Sequence, residues 1–323
     1  MRPGPGAPGR RGRRGVPRVL VIGGANTDIV GVPDAGMSMR DSNPGHVTVS
    51  AGGVGRNVAE NLARLGLRVT LVTAFGDDAN GRARHAECEA AGIDVDRAVR
   101  TGGVPGSVYL AVLDERGDLA VAVNDMRALD AVGTREIAAA IEGLEPPDAL
   151  VLDANLRTES LRHARELMPD TPLFLECVSS AKAPRLSALL AGATAMHANV
   201  FEASALTREA YEHSLGGAAR AARALAALGV DTAYVTAGEH GVAYAGVEGG
   251  GTLQSPTRTV VNATGAGDAF MAGIVAATLA GHDTRTIAAF ASACAAITLD
   301  SEHTVAPELD RSAVDREIEE MLR

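Results

Sequence analysis

Residues 261–273 read VNATGAGDAFMAG. Thr264 opens a tight Gly265-Ala266-Gly267-Asp268 turn between a strand-like run over 257–261 and an amphipathic helix expected over Ala266–Leu279. Glycine at 265 and 267 lets the backbone turn sharply, so consecutive N–H groups converge at the start of the helix. Such a cluster of unpaired donors, reinforced by the helix dipole, is an anion site. A carboxylate beside it has a chemical use if it takes a proton from a hydroxyl while the N–H groups hold developing negative charge. The plainer reading, a glycine-rich turn with an Asp in the first helical turn, competes with this one when the string stands alone.

Working outward, a second stretch of the same kind lies at 51–66, AGGVGRNVAENLARLG. Gly52 and Gly53 sit at a strand-to-helix junction where a ligand could touch backbone, and Asn57 falls one turn into the helix, where its amide can bind hydroxyls. Gly53-Val54-Gly55 begins a dinucleotide fingerprint, but Val58 stands where the third glycine belongs. Between and beyond the two stretches, short Val/Ile/Leu runs alternate with amphipathic segments. Strands are expected at 18–23, 68–73, 149–153, 172–176, 194–197 and 232–236. Helices are expected at 54–65, 80–91, 134–142, 158–168, 181–191, 218–228, 266–279 and 284–299, with an acidic last helix near 313–322. That alternation predicts an α/β fold with a mostly parallel sheet. Gly66, Gly92, Gly192 and Gly229 follow four of the helices as C-terminal caps. The runs 46–50, 107–114 and 119–124 break the pattern. The last two flank a turn at 115–118 built on Gly117, and all three predict a small antiparallel sheet bordering a cleft.

The chain has 323 residues, 46% hydrophobic and 22% charged, with a net charge of −10. The acidic balance gives the body no electrostatic reason to seek nucleic acid or an anionic membrane. The first 18 residues hold six arginines and no acid, and the Gly/Pro/Arg-rich tail at 1–17 is expected to be disordered. No apolar run is long enough for a membrane span, and the three cysteines lack a CxxC spacing, so a reduced, cytoplasmic protein is expected. The eight histidines show no metal-binding spacing. Lys182 is the only lysine. A Walker A loop, which ends in GK[ST], is therefore excluded. Ser179–Lys182 spells SxxK, but the KTG that accompanies it in β-lactamase-type enzymes cannot be present.

The two glycine motifs together resemble the PfkB-type (ribokinase-like) sugar and nucleoside kinases, from about residue 18 to 307. Gly24-Ala-Asn-Thr-Asp28, Gly76-Asp-Asp with Gly81, Asn199-Val-Phe-Glu202 and Thr236-Ala-Gly-Glu-His-Gly241 extend the resemblance. Within the family the chain is most similar to the pseudouridine kinases, through Ser42-Asn-Pro-Gly45, Gly53-Val-Gly-Arg-Asn57, Asn124-Asp-Met126, Asp153-Ala-Asn-Leu156 and Glu176-Cys-Val-Ser-Ser-Ala-Lys182. Cys177 departs from the usual Pro. Asn262 replaces an Asp of the sugar kinases, which leaves a monovalent-cation requirement open.

The resemblance implies a ribokinase-like three-layer α/β/α core with a mostly parallel sheet and a small antiparallel β lid. The kinase domain would span 18–309, with lid segments near 30–50 and 105–126 and a C-terminal helix at 310–323. It implies ATP and Mg²⁺. The exposed strand edges of the small sheet allow either a lid alone or a homodimer through the lid. Asp268 would be the general base, with Gly265, Ala266 and Gly267 forming the anion hole. Asp28, Asn26, Gly52, Gly53, Asn57, Ser42 and Asn124 would line the pocket for a ribosyl substrate. Asn199, Thr236, Gly238, Gly241 and Thr264 would lie along ATP, and Glu202 with Asn199 would hold Mg²⁺ through water. For Asp28 a turn-forming role competes with the functional one, and for Asn199 and Glu202 a plain helix cap does. Lys182 either reaches into the cleft to meet a nucleobase or phosphate, or is a chance survivor at a solvated helix start. Two other functions stay open: the same chemistry on ribose or another nucleoside, and a catalytically silent sugar- or nucleoside-binding protein.

Overall fold

The computed structural model describes residues 15–321 apart from 115, 117, 256, 257 and 259. Most of the arginine-rich tail, two positions of the 115–118 turn, part of the 257–261 run and Leu322 therefore lie outside the described residues. In chain order the first half comprises β1 (Arg18–Ile22), β2 (Asn26–Pro33), β3 (Gly45–Gly52), α1 (Val54–Arg64), β4 (Arg68–Val72), β5 (Ala74–Gly76), α2 (Ala79–Ala90), β6 (Val99–Thr101), β7 (Val108–Leu113), β8 (Leu119–Asp125), α3 (Thr134–Ile141), β9 (Ala149–Asp153) and α4 (Thr158–Leu167). The second half follows with β10 (Leu173–Glu176), β11 (Ala195–Asn199), α5 (Val200–Thr207), α6 (Leu215–Ala227), β12 (Thr232–Thr236), β13 (Val242–Gly246), β14 (Gly249–Leu253), α7 (Ala266–Leu279), α8 (Thr284–Leu299) and α9 (Arg311–Met321).

Eight strands form the main sheet in the order β14-β13-β12-β11-β10-β9-β1-β4. Pairing is parallel from β4 through β12 and antiparallel only at β12–β13 and β13–β14. Side chains of a strand alternate between its two faces, and here both faces are apolar. Leu20 and Ile22 of β1 join one core with residues of α3, α4, α5 and α6, while Val19 and Val21 join the other with residues of α1, α7 and α8. Burial on both faces is why the strands read as continuous apolar runs. The result is the three-layer arrangement.

Helix α7 is apolar all round and lies within the second core, packed on α8 where Gly273 faces Ala291 at backbone distance. The four glycines expected as caps all have positive φ, between 77° and 100°. The helix expected over 181–191 is instead a shorter 3-10 segment, Ala183–Leu189, with Pro184 at its start. The hairpin β13–β14 and strand β2 were not foreseen.

The lid is a four-stranded sheet in the order β3-β2-β7-β8. Its two hairpins, β2–β3 and β7–β8, are antiparallel, and they are joined through a parallel β2–β7 pair.

Candidate active site

Polar residues gather at the carboxyl ends of the parallel strands. Asp153 closes β9, Glu176 closes β10, Asn199 closes β11 and Thr236 closes β12. The chain leaves β1 for β4 on one side and returns to β9 on the other, a reversal beside which ligands of open α/β sheets bind. Gly23 and Gly55 pack backbone to backbone there, and a Cβ on Gly53, whose φ is 98°, would strike the carbonyl of Gly24. These glycines bring the start of α1 down onto the strand ends.

Asp268 sits in the first turn of α7, behind the N-cap Gly265 at φ 87°. The N–H groups of Ala266, Gly267 and Asp268 belong to that first turn, where an α-helix leaves its donors without intrahelical partners. The Asp268 carboxyl is 9% exposed, and its Oδ2 accepts a hydrogen bond from Asn57 Nδ2 at 2.8 Å. Burial pushes it up to about 8. Glu176 and Asp153 add to the rise, whereas the Asn57 hydrogen bond and His197 oppose it. Asn57, expected to line the sugar pocket, thus turns its amide to Asp268. Asn262 shapes the approach to the turn, accepting from the Thr264 N–H and donating to the Glu302 carbonyl.

In the lid, Asp28 lies on β2, with Asn26 donating to its Oδ1. Any Cβ on Gly52 would overlap this carboxyl group, so glycine there makes room for it. Burial raises the Asp28 carboxyl above its usual range, against the hydrogen bond from Asn26 and the fields of Arg56 and Arg84. The lid register puts Ser50, Asp28, Tyr109 and Asn124 in one row on one face. Ser42 is not part of that group. It lies in the exposed loop at the hairpin tip, where Asn43 ties the loop through Ser38 and Asp41.

Beside α7 a cavity of about 670 Å³ opens between Thr236 and Leu299. Val242, Leu253, Phe270 and Ala295 give it an apolar wall, and Thr236, Gly238 and Gly267 line it as well. Its size and lining suit an adenosine-sized ligand whose anionic tail runs to the donors of α7. Asn199 caps α5: its Oδ1 accepts from the Phe201 and Glu202 N–H groups, and Glu202 Oε2 accepts from the Asn199 N–H. The capping role of both residues is thereby seen directly. Among the described residues no three His, Cys, Asp or Glu side chains cluster to grip a metal. A Mg²⁺ ion would fit here only as one carried largely by phosphate and water, and Glu202 and Asn199 would hold that water.

Two groups at the site escaped the sequence reading. His197 Nδ1 lies 2.8 Å from Glu176 Oε2, and its Nε2 lies 3.2 Å from Thr236 Oγ1. The imidazole is buried, under Gly267 and against Phe270. Burial works against charge on His197, but Glu176, Glu202 and Asp268 together lift the imidazole above its ordinary value. The available signal was a carboxylate closing an otherwise apolar parallel strand, as in LFLE. Lys182 is half-buried and donates from Nζ to Asn155 Oδ1 at 2.6 Å. Asn155 in turn donates to Asp153, which also accepts from the Gly24 N–H. The lone lysine therefore reaches the strand ends rather than solvent.

The sequence model of the pfkB family carbohydrate kinases matches residues 16–311. The pseudouridine kinase of Escherichia coli (strain K12) is 32% identical over 295 residues, covering 90% of this chain and 93% of its own. An uncharacterized sugar kinase of the same organism is 34% identical over 86% of this chain and 77% of its own length. Among solved structures, a carbohydrate kinase from Agrobacterium tumefaciens superposes with a TM-score of 0.81 at 29% identity, over 94% of this chain and 97% of that one.

Proposed function

The chain belongs to the pfkB family of carbohydrate kinases, ATP-dependent phosphotransferases, and from that premise we propose that it converts pseudouridine to pseudouridine 5′-phosphate. The observation that carries the mechanism is Asp268: a buried carboxyl in the first turn of a helix, held by Asn57. In the proposed reaction the 5′-hydroxyl oxygen forms a bond to the γ-phosphorus of ATP and the bond to the β,γ-bridging oxygen breaks. The hydroxyl proton passes to an oxygen of Asp268, and ADP leaves. The N–H groups of Ala266, Gly267 and Asp268 hold charge on the phosphoryl oxygens, so the work is chiefly positioning and charge stabilisation. Asp28 and Asn26 grip the ribose hydroxyls, with Gly52 and Gly53 giving them access. Asn124 and Lys182 face the remainder of the acceptor. Gly238, Gly241 and Thr236 border the nucleotide. Mg²⁺, when bound, neutralises charge on the phosphates; Glu202 and Asn199 orient its water.

The choice of pseudouridine rests on likeness to the E. coli pseudouridine kinase and on the pocket strings shared with that branch. Ribose or another nucleoside is the nearest alternative. A panel of pseudouridine, uridine, adenosine and ribose with ATP and Mg²⁺, followed by ADP release, decides between them. Pseudouridine outpacing the rest is the expected outcome, and ribose or adenosine outpacing it overturns the assignment. Asp268→Asn should leave acceptor binding nearly intact and lower kcat by about two to four orders of magnitude. Unchanged turnover in that variant would remove the base from the mechanism and leave room for a silent binding protein.

The lid also supports a homodimer. Val47, Val49, Leu110, Val121 and Val123 share the lid face opposite Asp28 and are all exposed, so a second copy of the same face is the proposed cover.

A further inference from the structure

Helix α1 carries a line of charged side chains that the reaction itself does not use. Arg56 and Glu60 are 8% and 5% exposed, and the Arg56 guanidinium pairs with Glu60 Oε2. Glu60 Oε1 accepts from Arg64 Nε and Nη2 at 3.0 and 2.8 Å, and Arg64 Nη1 donates to the Pro307 carbonyl at 2.9 Å. At the other end Arg56 Nη1 donates to Asn57 Oδ1 at 3.0 Å, and Asn57 Nδ2 donates to Asp268 Oδ2 at 2.8 Å. The line therefore runs from the surface to the carboxyl group proposed as the base.

An amide has one accepting end and one donating end, whereas a guanidinium only donates and a carboxylate only accepts. With Arg56 on one side and Asp268 on the other, Asn57 can stand in one orientation. Flipped, it would set N–H against N–H and an amide oxygen against a carboxylate oxygen. The ionised form of Asp268 is favoured by a donor at this position and disfavoured by an acceptor. Burying a guanidinium is costly unless it is paired, which is the part Glu60 plays.

We propose that Arg56, anchored by Glu60 and Arg64, is a positioning residue that locks the Asn57 amide with its N–H towards Asp268 and so keeps that carboxylate able to accept the substrate proton. This rests on the reading of Asp268 as the base. The other groups facing Asp268 are Glu176 from β10, Asp153 from β9 and His197 from β11. A change at Arg56 leaves all three in place; the field it removes from Asp28 acts on acceptor binding, whereas a shift in the titration of Asp268 reports on the Asn57 amide.

The test is the pH dependence of kcat for Arg56→Met and Arg56→Lys in the full chain, with ATP, Mg²⁺ and the fastest acceptor of the panel. In Arg56→Met the amide is free to flip. The rise of kcat with pH should move up by about one to two pH units, a loss of about tenfold to hundredfold at pH 7 that shrinks at pH 9. Acceptor KM reads the separate loss of the Arg56 field at Asp28, so kcat and KM are followed apart. Arg56→Lys still donates to Oδ1 and should keep most of the wild-type profile. A loss equal at every pH, a loss confined to KM, or a wild-type profile in Arg56→Met overturns the proposal. If Arg56→Met does not fold, Glu60→Gln, which loosens the anchor, should shift the profile in the same direction by less; no shift there overturns the proposal too. Asp268→Asn is assayed alongside. If it keeps wild-type turnover, the base reading falls and this inference with it. If it is inactive while Arg56→Met keeps the wild-type profile, only the positioning role falls.

Discussion

A carboxylate that ionises late is a liability to the fold and an asset to the chemistry, and Asp268 shows both sides. Its folded-state value of about 8 lies well above the ordinary aspartate range. Between the two, the unfolded chain has released a proton that the folded chain still holds. Stability therefore falls as pH rises through that window and levels off above about 8. Asp268→Asn removes this dependence. Its melting temperature should exceed that of the wild type by little at pH 5 and by progressively more at pH 7 and 9, read by thermal melts in matched buffers. The wild-type rate should climb over the same upper range, since only the ionised carboxyl accepts a proton. The place of Asp268 at the start of α7 was legible in the sequence, because glycines flank an acid just ahead of an apolar run. Glu176 and His197 were not, because they meet only when β10 and β11 lie side by side, 21 residues apart in the chain.

At the scale of elements, legibility followed the physics of burial. The parallel strands, apolar on both faces, were read to within about two residues. Strand β2, NTDIVGVP, is partly exposed along most of its length and ends in proline, and β14, GGGTL, has too little side chain to show a period. Each is held by its partner strand instead, β2 by β3 and β7, and β14 by β13. The apolar spacing over 181–191 predicts an α-helix, and the structure has the 3-10 segment Ala183–Leu189 there, with Pro184 at its start. The junction from β3 to α1 was read correctly from its glycines, and it makes a sharp prediction. Gly53→Ala would force a side chain into φ 98° and against the Gly24 carbonyl, at a cost of about 1–3 kcal/mol. Urea unfolding should show that loss, and acceptor affinity should fall further than ATP affinity, because the displaced element carries Asn57 and borders Asp28.

At the scale of the whole molecule, the lid has the polar row of Asp28 on one face and a run of exposed valines on the other. Val47 and Val123 on the valine face are 66% and 62% exposed. Continuous apolar surface of this kind marks an interaction site. Val121→Lys with Val123→Lys should leave the fold intact and shift sedimentation from dimer to monomer at micromolar concentration; a monomeric wild type would refute the lid dimer.

Asp28 belongs to the lid, whereas Asp268 belongs to the body. On the proposed reading, the acceptor sugar is gripped by one part and deprotonated by the other, so it serves as the bolt that draws the two together. An acceptor stripped of the hydroxyls that Asp28 holds loses more than adhesion. Left with no bolt, the lid has no reason to stay shut, water stays in the cleft, and the penalty falls on the speed of the chemical step as well as on occupancy.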